Sequence, residues 1–269
     1  MRKITPQRCI VRANRRLDTA GRYFRLTIDG FRSARKILPG HFVHIKVAPL
    51  MDPLFRRAFS IADYDKPSGT LDVVYKVMGK GTSLLAQIKK GDVLDLIGPL
   101  GNCFSLPARR KTVIMVAGGV GFPPLYFLSK YLIQMGHPED NILFFYGGRS
   151  RNDLVEMPRI RKLGVELIAS TDDGTLGYKG FVTAALEERL PAIDSRNAVV
   201  YGCGPEPMLA ALQDLAPKLN LTGQVSLEAP MPCGVGVCLG CVKPTAVDPA
   251  RYVRVCREGP VFELGEIRL

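Results

Sequence analysis

Between about residue 5 and residue 100 the chain alternates short β-rich runs with turn residues, at 23–28, 41–47, 59–62, 71–77 and 93–97. Runs of this length and spacing predict a small antiparallel barrel. One helix is predicted within it, over 82–89, stopped by Gly91-Asp92. After Pro107 the pattern changes: strands predicted at 112–117, 142–146, 165–169 and 198–201 alternate with helices predicted at 123–135, 154–163, 183–190 and 206–219. Such alternation means a parallel sheet with helices on its faces. From about Val225 the chain is rich in Gly, Pro and Cys and too short for a large core of its own, so it needs a metal, or its neighbours, to fold. The predicted organisation is an antiparallel β-barrel (1–106), an α/β domain with a parallel sheet (107–224) and a small C-terminal module (225–269).

Composition fits that picture and removes some alternatives. At 269 residues, 46% hydrophobic and 23% charged, the chain has the make-up of a globular protein of two or more compact units, not of a disordered one. Its best apolar run, 113–117, is far too short to span a bilayer, and the first eleven residues are charged and mixed rather than basic then apolar. No membrane association is expected, and a cytoplasmic protein is. The net charge of +12 is uneven: residues 2–36 hold eleven Lys or Arg against Asp18 and Asp29. That segment has only Tyr23, Phe24 and Phe31 as aromatics and no module that would enter a groove. A solvated basic face is therefore expected rather than a nucleic-acid partner, and such a face also suits an acidic partner subunit.

Seven cysteines is an odd number. In a reducing compartment this favours a metal or redox site over a disulfide framework. Cys233, Cys238, Cys241 and Cys256 read C-x4-C-x2-C-x14-C, the opening spacing of plant-type 2Fe-2S ferredoxins. Four thiolates meet the ligand demand of two irons. Gly234, Gly236 and Gly240 suit a tight loop that brings backbone N–H groups close to sulfur. A four-cysteine zinc site is the alternative, although only Cys238 and Cys241 form the C-x2-C pair usual in structural zinc sites. Cys9 and Cys103 are isolated and read as packed residues, while Cys203, in Tyr-Gly-Cys-Gly-Pro, follows a strand at a sheet edge.

Two further constellations concern nucleotides. Arg57, Phe59 and Ser60 place a cation, a ring and a hydroxyl in close succession, and Gly79-x-Gly81-Thr82 opens a helix whose free N–H groups favour a pyrophosphate. A buried strand edged by arginine is the alternative for the first half. Val116-Ala117-Gly118-Gly119-Val120-Gly121-Phe122-Pro123-Pro124 is a strand turning through glycines into a helix begun by prolines, at the C-terminal end of the first α/β strand, where a ligand crevice is expected. It is G-G-x-G and not G-x-G-x-x-G, so a turn used only for tight helix packing stays open.

Taken in order, RRAFS, KVMGKGT, AGGVGFPPL, YGGRS, TDDGTLGYKGFVT, YGCGPEPML, MPCGVGVCLGC and VCREGPVF resemble the ferredoxin-NAD(P) reductase superfamily. More narrowly, they resemble electron-transfer subunits of NAD-linked dihydroorotate dehydrogenases, over nearly the whole chain. The resemblance implies an FAD barrel, an NAD-binding α/β domain and a 2Fe-2S module. It implies that Arg57, Ala58, Phe59 and Ser60 form the flavin motif, that Val74, Tyr75 and Lys76 line the cofactor, and that Gly81 and Thr82 hold its pyrophosphate. Gly118, Gly119 and Gly121 would take the dinucleotide phosphates, Cys203 and Gly204 would lie beside the nicotinamide, and Cys233, Cys238, Cys241 and Cys256 would ligate the cluster. Ala58 stands where proline is common and Glu258 where Asp is usual, and both leave the ligating atoms intact.

The implied activity is that of an NAD-linked oxidoreductase subunit in pyrimidine biosynthesis. A nicotinamide accepts a hydride, a 2Fe-2S centre moves single electrons, and a flavin does both, so FAD is the converter. No strand-loop set forms a second flavin barrel, so the chain has no substrate-oxidising residues of its own. The pyrimidine site is expected on an FMN-containing catalytic subunit, in a heterotetramer of two plus two. Arg149 and Arg151 follow the second α/β strand, where a 2'-phosphate binds in NADP enzymes, but the resemblance favours NAD. Asp153, in G-x-R-x-x-x-D, reads as a helix cap. Sibling subunits of a sulfide dehydrogenase, a hydrogenase or a ferredoxin-NADP oxidoreductase are the nearest rivals, and a zinc-stapled basic binding module is the rival from another class.

Overall fold

The computed structural model describes residues 5–48 and 52–269; Arg2 and Lys3 of the basic segment lie outside them. Strands β1 (Gln7–Arg16), β2 (Tyr23–Asp29), β3 (Phe42–Lys46), β4 (Arg57–Asp65), β5 (Thr70–Lys76) and β6 (Val93–Leu100) close an antiparallel barrel in the order β1-β2-β5-β4-β3-β6. Strand β1, absent from the sequence-based expectation, pairs with both β2 and β6 and so closes the barrel. Its inward Cys9 and Val11 alternate with exposed Arg8, Ile10 and Arg12, and the outward arginines hide the period. Arg8, Arg12, Arg15 and Arg16 of this strand are exposed, whereas Arg25 of the same basic segment is drawn into an ion pair with Glu156 at 2.7 Å. Cys9, 1% exposed, is a packed core thiol that burial pushes up to about 11.

Helix α1 (Lys80–Leu85) begins earlier and ends sooner than the 82–89 expected. Thr82 Oγ1 accepts the backbone N–H groups of Met78 at 2.9 Å and Gly79 at 3.2 Å, which fixes the start at Lys80. Gln87 and Ile88 then donate to carbonyls only three residues back, so the chain tightens into a turn.

The second unit runs β7 (Thr112–Gly118), α2 (Phe122–Gln134), β8 (Ile142–Gly148), α3 (Met157–Arg161), β9 (Glu166–Thr171), β10 (Tyr178–Lys179), α4 (Val182–Arg189), β11 (Ala198–Cys203), α5 (Glu206–Lys218) and β12 (Gly223–Ser226). Its strands are parallel. Helix α3 is shorter than the 154–163 expected because Glu156, with φ 63°, breaks the chain before it and Gly164, with φ 81°, follows it. Strand β12 was not expected, since GQVS holds one apolar residue, yet all four of its positions are buried.

The C-terminal segment forms β13 (Val242–Pro244), β14 (Tyr252–Arg254) and β15 (Val261–Glu263). The first two make a separate hairpin, and β15 joins the α/β sheet antiparallel to β12, giving the order β10-β9-β8-β7-β11-β12-β15. The segment folds on its neighbours: Val255, Phe262 and Ile267 share one apolar cluster with Val116, Leu209 and Val225 of the sheet unit and with Phe42, Ile97 and Leu100 of the barrel. Full burial of each such side chain contributes about 1.5–3 kcal/mol.

The barrel and the sheet unit also meet through charge. Arg159 of α3 reaches Asp63 and Asp72, both at 2.9 Å, and Lys130 of α2 reaches Asp63 at 2.8 Å. Tyr23 donates its hydroxyl to Asp153 at 2.5 Å. Asp153 therefore does not cap α3, whose N-cap is Glu156 without a side-chain bond. It clasps the barrel instead, with Lys76 at 3.7 Å and Arg22 at 3.9 Å. Burial raises the Asp153 carboxyl, but Tyr23, Lys76 and Arg22 outweigh it and hold the group below the usual carboxylate range. Among the described residues no helix is long and apolar enough to cross a membrane.

Candidate functional site

A cleft of about 400 Å³ lies where the three units meet. The barrel supplies Phe42, Ala58, Phe59, Ser60, Val74, Tyr75, Lys76 and Met78; the sheet unit supplies Val120; the segment leading to the cysteines supplies 227–231, and Pro260 closes it. Strands β4 and β5 are neighbours in the barrel, which is why residues 58–60 and 74–76 share one wall. Tyr75 contributes this wall mainly through its backbone. Its ring, 2% exposed, stacks on Phe24 at 5.5 Å inside the barrel, and its hydroxyl donates to Asn14 at 3.1 Å.

The two arginines of RRAFS have separate tasks. Arg56 donates to the Asp95 carboxylate and carbonyl, each at 2.7 Å, and ties β4 to β6. Arg57 instead covers the start of α1: a β-carbon at Gly81 would stand 2.8 Å from its Nε. A cation and the first N–H groups of a helix thus converge beside the cleft, the pairing a pyrophosphate needs. Phe59, Ser60, Gly81, Thr82 and Lys76 are all within this neighbourhood. The Lys76 ammonium is already engaged by Asp153 and lies 5.1 Å from the Tyr23 ring.

On the opposite side, the strand order reverses between β7 and β11, the switch point where open α/β sheets bind nucleotides. Ala117 pairs with Cys203, so the turn after β7 and the turn after β11 face each other. The glycines there divide into two kinds. Gly121 and Gly204 allow the two turns to pack, since a β-carbon at Gly121 would lie 2.2 Å from the Cys203 carbonyl oxygen and one at Gly204 would lie 2.9 Å from Gly118 N. Gly118 is pressed by Met208 and Pro205. Gly119, with φ 52°, faces open space and offers backbone to a ligand. The packing reading thus holds for Gly118, Gly121 and Gly204, and close approach to a dinucleotide is left to Gly119 and its neighbours.

Cys203 is not at a sheet edge. It ends β11, an interior strand, and is 1% exposed. Burial pushes its thiol well up, the Glu228 charge adds to this and a Ser226 hydrogen bond opposes it, so it is a neutral thiol. Glu228 lines the cleft with its carboxylate accessible from the open side and protein on the others, and burial raises its pKa. Glu228, Ala229 and Pro230 were not singled out in the sequence, because they follow a strand that has no apolar run to announce it.

The four expected cluster cysteines lie in the third unit as two contacting pairs, Cys233 with the exposed Cys238 and Cys241 with Cys256, the latter two buried. Pairing of Val242 with Arg254 in the β13–β14 hairpin sets Cys241 beside Val255 and Cys256, and Val255 N donates to the Cys241 carbonyl at 3.0 Å. Gly234 and Gly236, with φ 69° and 82°, turn the loop that carries Cys233 and Cys238. Backbone N–H groups point at sulfur: Val235 to Cys233 at 3.5 Å, Gly240 to Cys238 at 3.4 Å, and Cys256 to Cys241 at 3.5 Å. Burial raises the Cys233 thiol, but N–H donors from Cys238, Val235 and Val237 outweigh it and bring it to about 6. Burial and the adjacent Cys241 push Cys256 up to about 12. Among the described residues no three His, Cys, Asp or Glu are gathered tightly enough to hold one metal ion. The thiols instead lie as two adjacent pairs, and four sulfurs with N–H donors match the donor set of a diiron cluster. Glu258 leaves this loop intact and buttresses it: its carboxylate bonds Arg254, whose Nη1 donates to the Gly236 carbonyl at 3.0 Å.

Met231 lines the cleft and Cys233 begins the cysteine set, so at most about 7 Å of extended chain separates them. The two sites are one assembly. Around the cysteines, Val237, Leu239 and Tyr252 are exposed apolar side chains, and Leu239 is held outward with φ 58°.

Comparison with known proteins finds three family models along the chain. Residues 8–104 match the oxidoreductase FAD-binding domain, 115–214 the oxidoreductase NAD-binding domain, and 228–268 the iron-sulfur cluster binding domain of dihydroorotate dehydrogenase B. The chain is 40% identical over 252 residues to the dihydroorotate dehydrogenase B (NAD(+)) electron transfer subunit of Bacillus caldolyticus, covering 93% of this chain and 94% of that one. The corresponding subunit of Caldanaerobacter subterraneus is 38% identical, with 96% of each covered. Among solved structures, an NADH-dependent reduced ferredoxin-NADP oxidoreductase superposes with a TM-score of 0.84 at 26% identity, over 97% of this chain and 89% of that one. The ferredoxin-NADP+ reductase of Plasmodium falciparum, 17% identical with a TM-score of 0.66 over 83% of this chain and 97% of that one, shares the fold.

Proposed function

The chain belongs to the family of electron-transfer subunits of NAD-linked dihydroorotate dehydrogenase B, and from that membership we propose that it passes electrons taken from dihydroorotate on a separate catalytic subunit to NAD+. When bound, the cluster supplies single-electron transfer, FAD converts between single electrons and pairs, and NAD+ takes the pair. The observation that carries this reading is the shared cleft: one cavity is walled by the flavin strands, the glycine turn of the sheet unit and the segment entering the cysteine loop.

In this reading Arg57 with Gly81 and Thr82 neutralises the FAD pyrophosphate, while Ala58, Phe59, Ser60, Val74, Tyr75 and Lys76 hold the ring system. The turn at Gly118, Gly119 and Gly121 takes the dinucleotide phosphates, with Gly119 offering open backbone and the closely packed Gly118 and Gly121 shaping the turn, and Cys203 and Gly204 lie beside the nicotinamide. Cys233, Cys238, Cys241 and Cys256 ligate the cluster. The exposed Val237, Leu239 and Tyr252 support docking of the catalytic subunit over the cysteine loop, so that electrons enter there. The partner's FMN and a two-plus-two assembly rest on the family resemblance. Seven cysteines without a disulfide support a cytoplasmic setting.

The reading is tested by mixing the purified chain with a catalytic subunit of the family. NADH is expected to form from dihydroorotate only when both are present, and turnover by this chain alone contradicts the division of labour. The same preparation tests the nicotinamide preference. Asp172 and Asp173 hydrogen-bond through their N–H groups to the Gly148 and Arg149 carbonyls, both at 3.1 Å, which sets two acidic residues beside Arg149. Like charge disfavours a 2'-phosphate there, so kcat/KM for NADH should exceed that for NADPH by about tenfold or more; a preference for NADPH contradicts this.

A further inference from the structure

His44 lies on β3, opposite Ala58 of the flavin strand and Ile97 of β6. It is fully buried, and neither ring nitrogen makes a hydrogen bond of good geometry, the nearest acceptor being the Met231 backbone carbonyl at the entry to the cysteine loop. A buried polar group left in that state costs about 1–3 kcal/mol. His41, just before the same strand, keeps one of its two bonds: its Nδ1 accepts the Leu38 N–H at 2.9 Å, while its Nε2 is unpartnered and it is not the histidine that meets the cysteine loop. His137 also lacks partners, but it follows α2, on an element that lines neither the cleft nor the cysteine loop.

The imidazole of His44 lies against the cysteine loop. A β-carbon at Gly234 would stand 2.6 Å from Nδ1, 2.9 Å from Cε1 and 3.1 Å from Cγ, so the ring covers the residue that follows Cys233. Burial lowers its pKa to about 4, with the Met231 backbone opposing and Arg56 and Arg57 adding to the fall. The ring is thus neutral at physiological pH, with one N–H to give. Phe42 packs edge-on against it with ring centroids 6.4 Å apart. One side of His44 is the flavin strand and the other is the loop of sulfur ligands, and the acceptors such a loop gathers are sulfur atoms.

We propose that His44 donates its N–H to the sulfur-bearing group held by the cysteine loop, seating that loop against the flavin strand and setting the reduction potential of the cluster. A hydrogen bond to sulfur favours the reduced, more negative state, so it raises the potential. His44 is a positioning residue, and the inference rests on the diiron reading of the four thiols.

The test uses the complete chain with flavin and cluster in place, as wild type, His44→Phe and His44→Gln, titrated anaerobically against potential with the cluster followed by paramagnetic resonance and the flavin by absorbance. His44→Phe keeps a flat ring and removes the donor; His44→Gln restores a donor. In His44→Phe the cluster reduction equilibrium should shift about tenfold toward the oxidised form, which is 59 mV for one electron. The flavin should not move, and His44→Gln should recover much of the shift. An exchangeable proton coupled to the cluster in wild type should vanish in His44→Phe. An unchanged cluster potential in an iron-replete His44→Phe overturns the inference. Should His44→Phe not hold iron, His44→Gln decides: assembly with a near wild-type potential supports the role, and failure to assemble overturns it. No paramagnetic signal from the unsubstituted chain overturns the diiron reading instead.

Discussion

Cys256→Ala should abolish transfer of electrons from the catalytic partner while leaving NADH oxidation through the flavin intact. Cys256 is 3% exposed, sits where the β13–β14 hairpin returns to Cys241 and does not line the cleft, so alanine removes a proposed cluster ligand and leaves the cleft lining as it is. Loss of a supporting residue around a metal typically costs 10–100-fold, and loss of a ligand should exceed about a hundredfold. The check is paired: dihydroorotate-to-NAD+ turnover with the partner, and NADH-to-ferricyanide turnover without it. Loss of the first with retention of the second is expected. Equal loss of both would mean that Cys256 supports the cleft rather than an electron path, and retention of both would remove the cluster from the path.

The second large effect concerns Arg159, which lies between the barrel and the sheet unit. Asp63 and Asp72 are directly opposite each other on β4 and β5, and the guanidinium holds both at 2.9 Å, with Glu156 at 3.6 Å and the Tyr126 ring 4.7 Å away. Its side chain is one-fifth exposed, so solvent screens it little. Arg159→Met leaves two carboxylates facing each other, with Lys130 on Asp63 and the neutral Thr27 hydroxyl on Asp72. Breaking such a set by removing one partner costs about 3–5 kcal/mol. Denaturant unfolding should show a loss of that order, with part recovered by adding Asp72→Asn. A loss below about 1 kcal/mol, the range of exposed pairs, would contradict the role.

How far the sequence carried the structure differs by region. The parallel sheet was legible because its buried strands are continuous apolar runs, ILFFY above all, flanked by helices of clear period. Strand β1 was not, since its inward residues are only Cys9 and Val11 among exposed arginines, and β12 was not, since it is buried by neighbours rather than by its own hydrophobicity. The cysteine spacing and the glycine turns were legible because such chemistry needs fixed residue types at fixed intervals. What they pack against was not. Tyr23 meets Asp153 across 130 positions of chain and Arg159 meets Asp72 across 87, and the contact between His44 and Gly234 joins residues still further apart. Spacing along a chain says nothing about such meetings. Asp153 shows the consequence: its position suggested a helix cap, and its partners come from the barrel.

If four thiolates hold a diiron centre beside a bound flavin, a reductive titration of the anaerobic chain supplied with iron, sulfide and FAD, followed by absorbance and paramagnetic resonance, should show uptake of about three electrons per chain, a pair on the flavin and a single one giving a paramagnetic signal. Uptake that stops at the flavin, with no such signal, would contradict that arrangement.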